Sequence, residues 1–269
     1  MKLPVLFLCL AATSAFANEP LPGGGVAKFE KGPAREARYV MPTKRYDHGV
    51  LGDAVEAGGL ELRSADGVVK IFALDESMVF EDITPRMADL DGDGIAEIIT
   101  IVSSLTEGSA LAVFKFDGQL LKLAGQTPFI GRTHRWLNVI GVGDFSGAGK
   151  TDIAIVVTPH IGGPLQIWRY ENSSLKLVHS EGRYSNHAVG STAMGLAEIA
   201  DVNGDAVPDV IVPKAGRRAV QVITFKDDRP HILKDITLPG AVAGKFQRLD
   251  NGIYAVLLED GSNFILELK

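Results

Sequence analysis

The stretch "ADLDGDGIAEIITIV", Ala88–Val102, sets four acids directly before an apolar run of Ile, Thr and Val. Like charges held this close repel unless a cation lies among them. Asp89, Asp91, Asp93 and Glu97 stand at positions 1, 3, 5 and 9 of a loop, with the Ile95 carbonyl at position 7. Alternating side chains on a tight turn can aim such oxygens at one point, and Ca²⁺ takes about six to eight hard oxygens. Gly92 and Gly94 permit the sharp turns. A helical calcium hand would place Glu at position 12, where this chain has Thr100 inside a β run. The loop is therefore expected to join two strands. Asp82, upstream of it, reads as a surface charge.

The stretch recurs. "GVGDFSGAGKTDIAIVVT" and "EIADVNGDAVPDVIVPK" align with it, and the first acids Asp89, Asp144 and Asp201 are 55 and 57 residues apart. Each loop precedes an apolar strand, a turn, and two further strands. A short strand also precedes each loop. Four strands on a period of roughly 50 residues predict an all-β chain of β-propeller blades. Two weaker units flank the three, "GVLGDAVEAGGLELRSADGVVKIFALD" and "VAGKFQRLDNGIYAVLLEDGSNFILELK". The reading is five four-stranded blades, starting near His48, Arg86, Asn138, Gly195 and Ala241. A β-sandwich is the rival, but it would not carry a long internal period. The last unit has three strands, and an open edge invites aggregation. The strand-like "EARYVMPT" before the first unit is expected to close the ring as that blade's outer strand.

The second loop, "DVNGDAVPD", offers Asp201, Asn203, Asp205, the Val207 carbonyl and Asp209. The middle loop keeps Asp144, Ser146 and Asp152 but has Ala148 at position 5, so weak or no binding is expected there. An Asx turn without metal is the plain alternative, since Asp and Gly make good turns on their own.

"MKLPVLFLCLAATSAFA" has a basic start, an apolar stretch and a small-x-small end, which reads as a signal peptide over residues 1–17 and a secreted or periplasmic protein. Cys9 lies within it. Residues 18–36 are rich in Gly, Pro and mixed charge and read as a linker or arm, with the propeller over residues 37–269. The net charge of −6 disfavours a nucleic-acid partner. No later apolar run has the length of a membrane span.

The three loops resemble those of the FG-GAP/VCBS repeat family, the calcium-loop propellers of integrin α chains and of many secreted bacterial proteins. The resemblance covers about residues 40–269 and implies Ca²⁺ between the first and second strands of a blade. Asp89, Asp91, Asp93 and Glu97, and Asp201, Asn203, Asp205 and Asp209, match that pattern. Ala148 departs from it. The family implies no single activity.

Strand order puts the metal loops at one end of the blades and the links between blades at the other. His48, His134, His160 and His187 all fall at the second end, with Arg86, Arg132, Arg135, Lys214, Arg217 and Arg218. His179 and His231 fall on outer strands as surface residues. A ligand site is expected at His48, His134, Arg135, His160, His187 and Arg86, taking a small anionic ligand or a partner more tightly as pH falls. No nucleophile motif is present, and "GAGKT" lacks the context of a phosphate loop. Three classes stay open: a binding module, an enzyme on acidic carbohydrate with a histidine base, and an envelope scaffold.

Overall fold

The computed structural model describes residues 18–250 and 252–268; the expected signal peptide and Cys9 lie outside the described residues. The first strands are β1 (Val26–Lys28), β2 (Ala34–Thr43), β3 (Glu56–Ser64) and β4 (Val69–Ala73). Next come β5 (Met78–Phe80), β6 (Arg86–Ala88), β7 (Glu97–Ser104), β8 (Gly108–Phe116) and β9 (Leu121–Gln126). The middle of the chain forms β10 (Leu137–Gly143), β11 (Asp152–Val157), β12 (Gly163–Glu171) and β13 (Ser174–Tyr184). Then follow β14 (Glu198–Ala200), β15 (Asp209–Pro213), β16 (Ala219–Thr224) and β17 (His231–Thr237). The last are β18 (Val242–Asp250), β19 (Ile253–Leu258) and β20 (Asn263–Glu267).

All named pairings are antiparallel. β10–β13 and β14–β17 are four-stranded meanders in chain order, and β18–β20 is a three-stranded one. The first two expected units are not separate: β1 to β9 form one hydrogen-bonded sheet, in which β5 bridges β3 and β7. β5 and β6 together make the short strand before the first acidic loop. Both pair with β7, and residues 81–85 bulge out between them.

The N-terminal strand does not close a ring. β2 pairs with β3 along most of its length, Tyr39 opposite Leu60 and Val40 opposite Gly59, and β1 covers its other edge. The register follows from burial: Ala37 and Tyr39 reach the same core cluster as Leu60 and Leu62. The segment expected as a linker or arm is also held. Pro20 bridges Val40, the Leu21 N–H donates to the Tyr39 carbonyl at 3.0 Å, and Leu21 is buried.

The second strands of the three middle units, β7, β11 and β15, are buried on both faces, because both faces are packed. Along β11, Ile153 and Ile155 enter one core cluster while Ala154 and Val156 enter the next. β7 divides likewise, Ile99 and Ile101 against Ile98 and Val102. In β15, Val210 and Val212 face β11's unit and Ile211 faces the last sheet. Four clusters therefore link the units in sequence order. Among the described residues, none of the four holds residues from both the last sheet and the first. The outermost strands β13 and β17 carry the mixed, half-exposed pattern of a solvated face. No described helix is long and apolar enough to cross a membrane.

Candidate functional site

The three acidic loops share one backbone. Asp89 accepts from the N–H of Gly92 (2.7 Å) and Gly94 (2.9 Å), and Asp201 accepts from Gly204 (2.7 Å) and Ala206 (2.9 Å). Asp144 accepts from Ala148 (3.1 Å) and Gly149 (2.6 Å). The sixth residue of each loop is left-handed: Gly94 at φ 84°, Gly149 at φ 76° and Ala206 at φ 65°. Only Ala206 bears a side chain in that strained region. The second residue, Leu90, Phe145 or Val202, is the buried anchor that pins the loop to the core.

Among the described residues, Asp89, Asp91 and Glu97 are the one set of three His, Cys, Asp or Glu whose ligand atoms lie within 4.8 Å of one another. Asp93 completes the acidic rim. Ile95 and Val207, expected to offer carbonyls, donate their N–H to Asp93 (2.8 Å) and Asp205 (3.0 Å). Glu97 and Asp209 are buried, and each accepts from the loop's second N–H, Leu90 at 2.8 Å and Val202 at 2.9 Å. Burial raises both carboxyls, against the hydrogen bonds they accept.

A cation is already present in the first loop. Lys115 Nζ lies 2.6 Å from Asp91, 2.7 Å from Asp93 and 3.0 Å from Glu97. Burial pulls its ammonium down, but the hydrogen bonds from it to the three carboxylates outweigh this and hold it well above the ordinary lysine range. The middle loop has an equivalent. Arg169 donates to both oxygens of Asp152, at 2.7 and 2.8 Å, and to Asp228 at 2.9 Å. In the Asp201 loop, Lys226 reaches Asp205 alone, at 3.0 Å, and is half exposed. Asp209 Oδ1 and Glu97 Oε1 are both buried without a hydrogen bond of normal geometry, and the Thr224 hydroxyl is the side chain that lowers the Asp209 pKa against burial.

The four histidines expected at the other end form two pairs, joined through Glu81, whose carbonyl accepts from Trp136 and whose carboxylate holds His48. His134 stacks on Tyr46 (ring centres 5.3 Å apart) and lies 5.2 Å from His48. His160 stacks on Trp136 at 5.7 Å, and His187 packs edge-on to both, 4.9 Å from Trp136 and 5.2 Å from His160. His160 is held by a tight turn, Pro159–Ile161, between Thr158 at φ 48° and Gly162 at φ 70°. A Cβ on Gly163 would lie 1.8 Å from the Val157 carbonyl oxygen, so only glycine fits there. Burial pushes His160 and His187 down to about 4, so both are neutral near pH 7. Three of their ring nitrogens, both of His160 and Nδ1 of His187, have no hydrogen-bond partner. Buried Asn186 has none at either side-chain atom, and Asn138 lacks one at Oδ1.

The cations expected beside them are engaged elsewhere. Arg86 is tied to Asp82, which is fully buried rather than a surface charge. His134 pairs with Asp47 at 2.9 Å, Lys214 with Asp235 at 3.1 Å and Arg217 with Glu259 at 2.7 Å. Arg132 and Arg218 are exposed and Arg135 is half exposed. Two acids that the sequence reading passed over, Glu56 and Glu81, are buried at this end. Glu81 Oε1 lies 2.5 Å from His48 Nδ1, and Oε2 accepts from Ser103 and Ser109. Burial, then the Glu81 charge, pushes Glu56 up to about 9. Both acids sit in strand-like runs that read as ordinary alternation, so the signal was weak. His179, expected at the surface, is half buried 5.4 Å from Phe225, while His231 is exposed.

No family model matches the chain, and no curated protein matches it.

Proposed function

We propose that this chain is a secreted five-bladed β-propeller, stabilised by Ca²⁺ at its acidic loops, that works as a binding module. Ca²⁺ would be held by carboxylates of those loops and would supply structure and not chemistry. Face-to-face packing of successive antiparallel units supports the propeller, and the shared loop conformation supports its repeat. The ligand is taken at the histidine end. One observation carries this: His160 and His187, from separate segments, pack on Trp136 beside a second pair, His48 and His134 on Tyr46, and three buried imidazole nitrogens of the first pair lack partners. Buried polar groups are almost always satisfied, so such a group is a place where a ligand or water completes the set.

The ligand is polar, but the case for an anion is weakened. Arg86, Lys214, Arg217 and His134 already have acids of their own, and Glu56 and Glu81 stand beside the site. His160 and His187 also stay neutral well below pH 6, so they would not draw an anion by charging. The test is native mass spectrometry of protein from its own source, followed by titration with glucuronate and with Zn²⁺ at about pH 5.5 and about pH 7.5. Retention of a small polar molecule that His160→Ala or His187→Ala releases supports the reading. No retained mass and no response in any titration would refute it.

A second reading rests on the His48–Glu81 contact. A buried carboxylate on Nδ1 fixes the ring and makes Nε2 the basic nitrogen, as a general base requires. Turnover of an acidic oligosaccharide that His48→Ala abolishes would favour this enzyme over the binding module.

A further inference from the structure

The three acidic loops differ in the residue that faces their ninth-position acid across the ladder. Asp152 pairs with Arg169 in the β11–β12 register. In β7–β8, Ile98 pairs with Phe114, and one step further sets Glu97 opposite Lys115. In β15–β16, Val210 pairs with Ile223, and one step further sets Asp209 opposite Thr224. The series is Lys, Arg, Thr.

Lys115 and Arg169 use that position to enter their loops. The Lys115 ammonium contacts three carboxylates that a metal would need. Arg169 covers both oxygens of Asp152 and leaves that acid no free lone pair of the usual fork geometry. Thr224 is neutral and short. In its loop Asp205 alone is paired, with Lys226, and among the described residues the buried Asp209 meets the Thr224 hydroxyl and no cation. Lys226 is no substitute, since it comes from beyond the end of β16 and reaches Asp205 from the solvent side.

We propose that the residue facing the ninth-position acid decides which loop takes a metal: Lys115 and Arg169 serve as tethered cations in the Asp89 and Asp144 loops, and the Asp201 loop, faced by Thr224, is the one that takes a hard divalent cation such as Ca²⁺. This rests on the reading of these loops as cation sites, and it reverses the ranking that composition suggests. The Asp89 loop has the most acids, yet it is neutralised from within. Displacing Lys115 would expose the metal to competition from an ammonium whose local concentration is fixed by the strand.

The test is isothermal titration of the full chain with Ca²⁺, after chelation and dialysis. The expected result is one Ca²⁺ per chain for the wild type, two for Lys115→Met and none for Thr224→Lys. If Thr224→Lys fails to fold, Asp205→Ala and Asp91→Ala carry the same test at loop side chains outside the core. Asp205→Ala should lose the single equivalent, and Asp91→Ala should keep it. Two equivalents in the wild type, unchanged by Lys115→Met, would overturn the selection by the facing residue and leave the cation reading standing. No binding by the wild type or by Lys115→Met would overturn both.

Discussion

The hydroxyl of Tyr39 donates a 2.9 Å hydrogen bond to Asp82, tying β2 to the bulge between β5 and β6. Arg86 closes the same carboxylate from the other side, four residues along the chain. Asp82 is fully buried, and burial raises its pKa against the pull of Arg86. Removing one partner of a buried pair leaves a costly uncompensated charge. Arg86→Ala should therefore destabilise by about 3–5 kcal/mol. Asp82→Asn combined with Arg86→Met should recover most of that loss. Urea midpoints of the three proteins decide it, and a fall below about 1 kcal/mol in the single variant would count against the pair.

The neutral histidines set an acid limit. Their folded pKa is depressed, from the ordinary 6.5 to about 4 for both His160 and His187. The unfolded chain therefore takes up protons first as pH falls. Stability from these groups is whole above about pH 6.5, and it is lost between there and about pH 4. His160→Gln with His187→Gln should flatten that slope. Denaturant unfolding between pH 4 and 7 measures it, and equal slopes in the two proteins would contradict the assignment.

Glu56 acts in the opposite direction. Its folded pKa, about 9, lies above the ordinary 4.5, so its contribution is whole below about pH 4.5 and is lost as pH rises toward 9. Glu81, Asp53 and Asp82 add to the effect of burial there. Glu56→Gln keeps the shape of the protonated acid and should stabilise by ~2–4 kcal/mol near pH 8, with little change near pH 4.5. Thermal melts at the two pH values test this. Two histidines outweigh one glutamate below about pH 6.5, so the combined contribution of these three groups is greatest near pH 6.5.

Leu21 is buried 7% exposed beneath the start of β2, although it lies in a segment whose composition reads as a loose arm. Leu21→Ala should cost about 2–3 kcal/mol. Truncation to Gly25 should cost more, since it also removes the Pro20–Val40 bridge. Truncation to Ala17 should leave the melting temperature unchanged. A truncation to Gly25 that melts like the longer chain would refute the packing role.

Chelation should lower the melting temperature. A site that binds only the folded state adds about 2.7 kcal/mol at a hundred times its dissociation constant. Lys115→Met should enlarge the response, since three carboxylates then face one another without their ammonium. Identical melts with and without chelator, in both proteins, would mean that no loop holds a metal.

What the sequence made legible was local. Each acidic loop spells its own turn, because Asp at the first position and a small residue at the sixth are what that backbone needs. The strands after them are apolar on both faces, and their burial follows. Long-range pairing was not legible. The alternation of "EARYVMPT" fits any sheet edge, and nothing in it chooses β3 over the last blade. Lys115 lies 18 residues beyond Glu97, and only the β7–β8 register brings the two together. Glu56, Glu81 and Asp82 look like solvated charges until the fold closes over them.

Each interior second strand is gripped by two apolar clusters, whereas β19 contributes Tyr254, Val256 and Leu258 to one cluster only and leaves Leu257 exposed. A unit packed on one side has less apolar area to hold it than one packed on both, so the free energy of opening depends on a unit's place in the array. Amide protons of β11 should exchange with solvent only on global unfolding, and those of β19 and β20 through a smaller opening that spares the rest. The molecule would then come apart from its C-terminal end, sheet by sheet, before its centre yields.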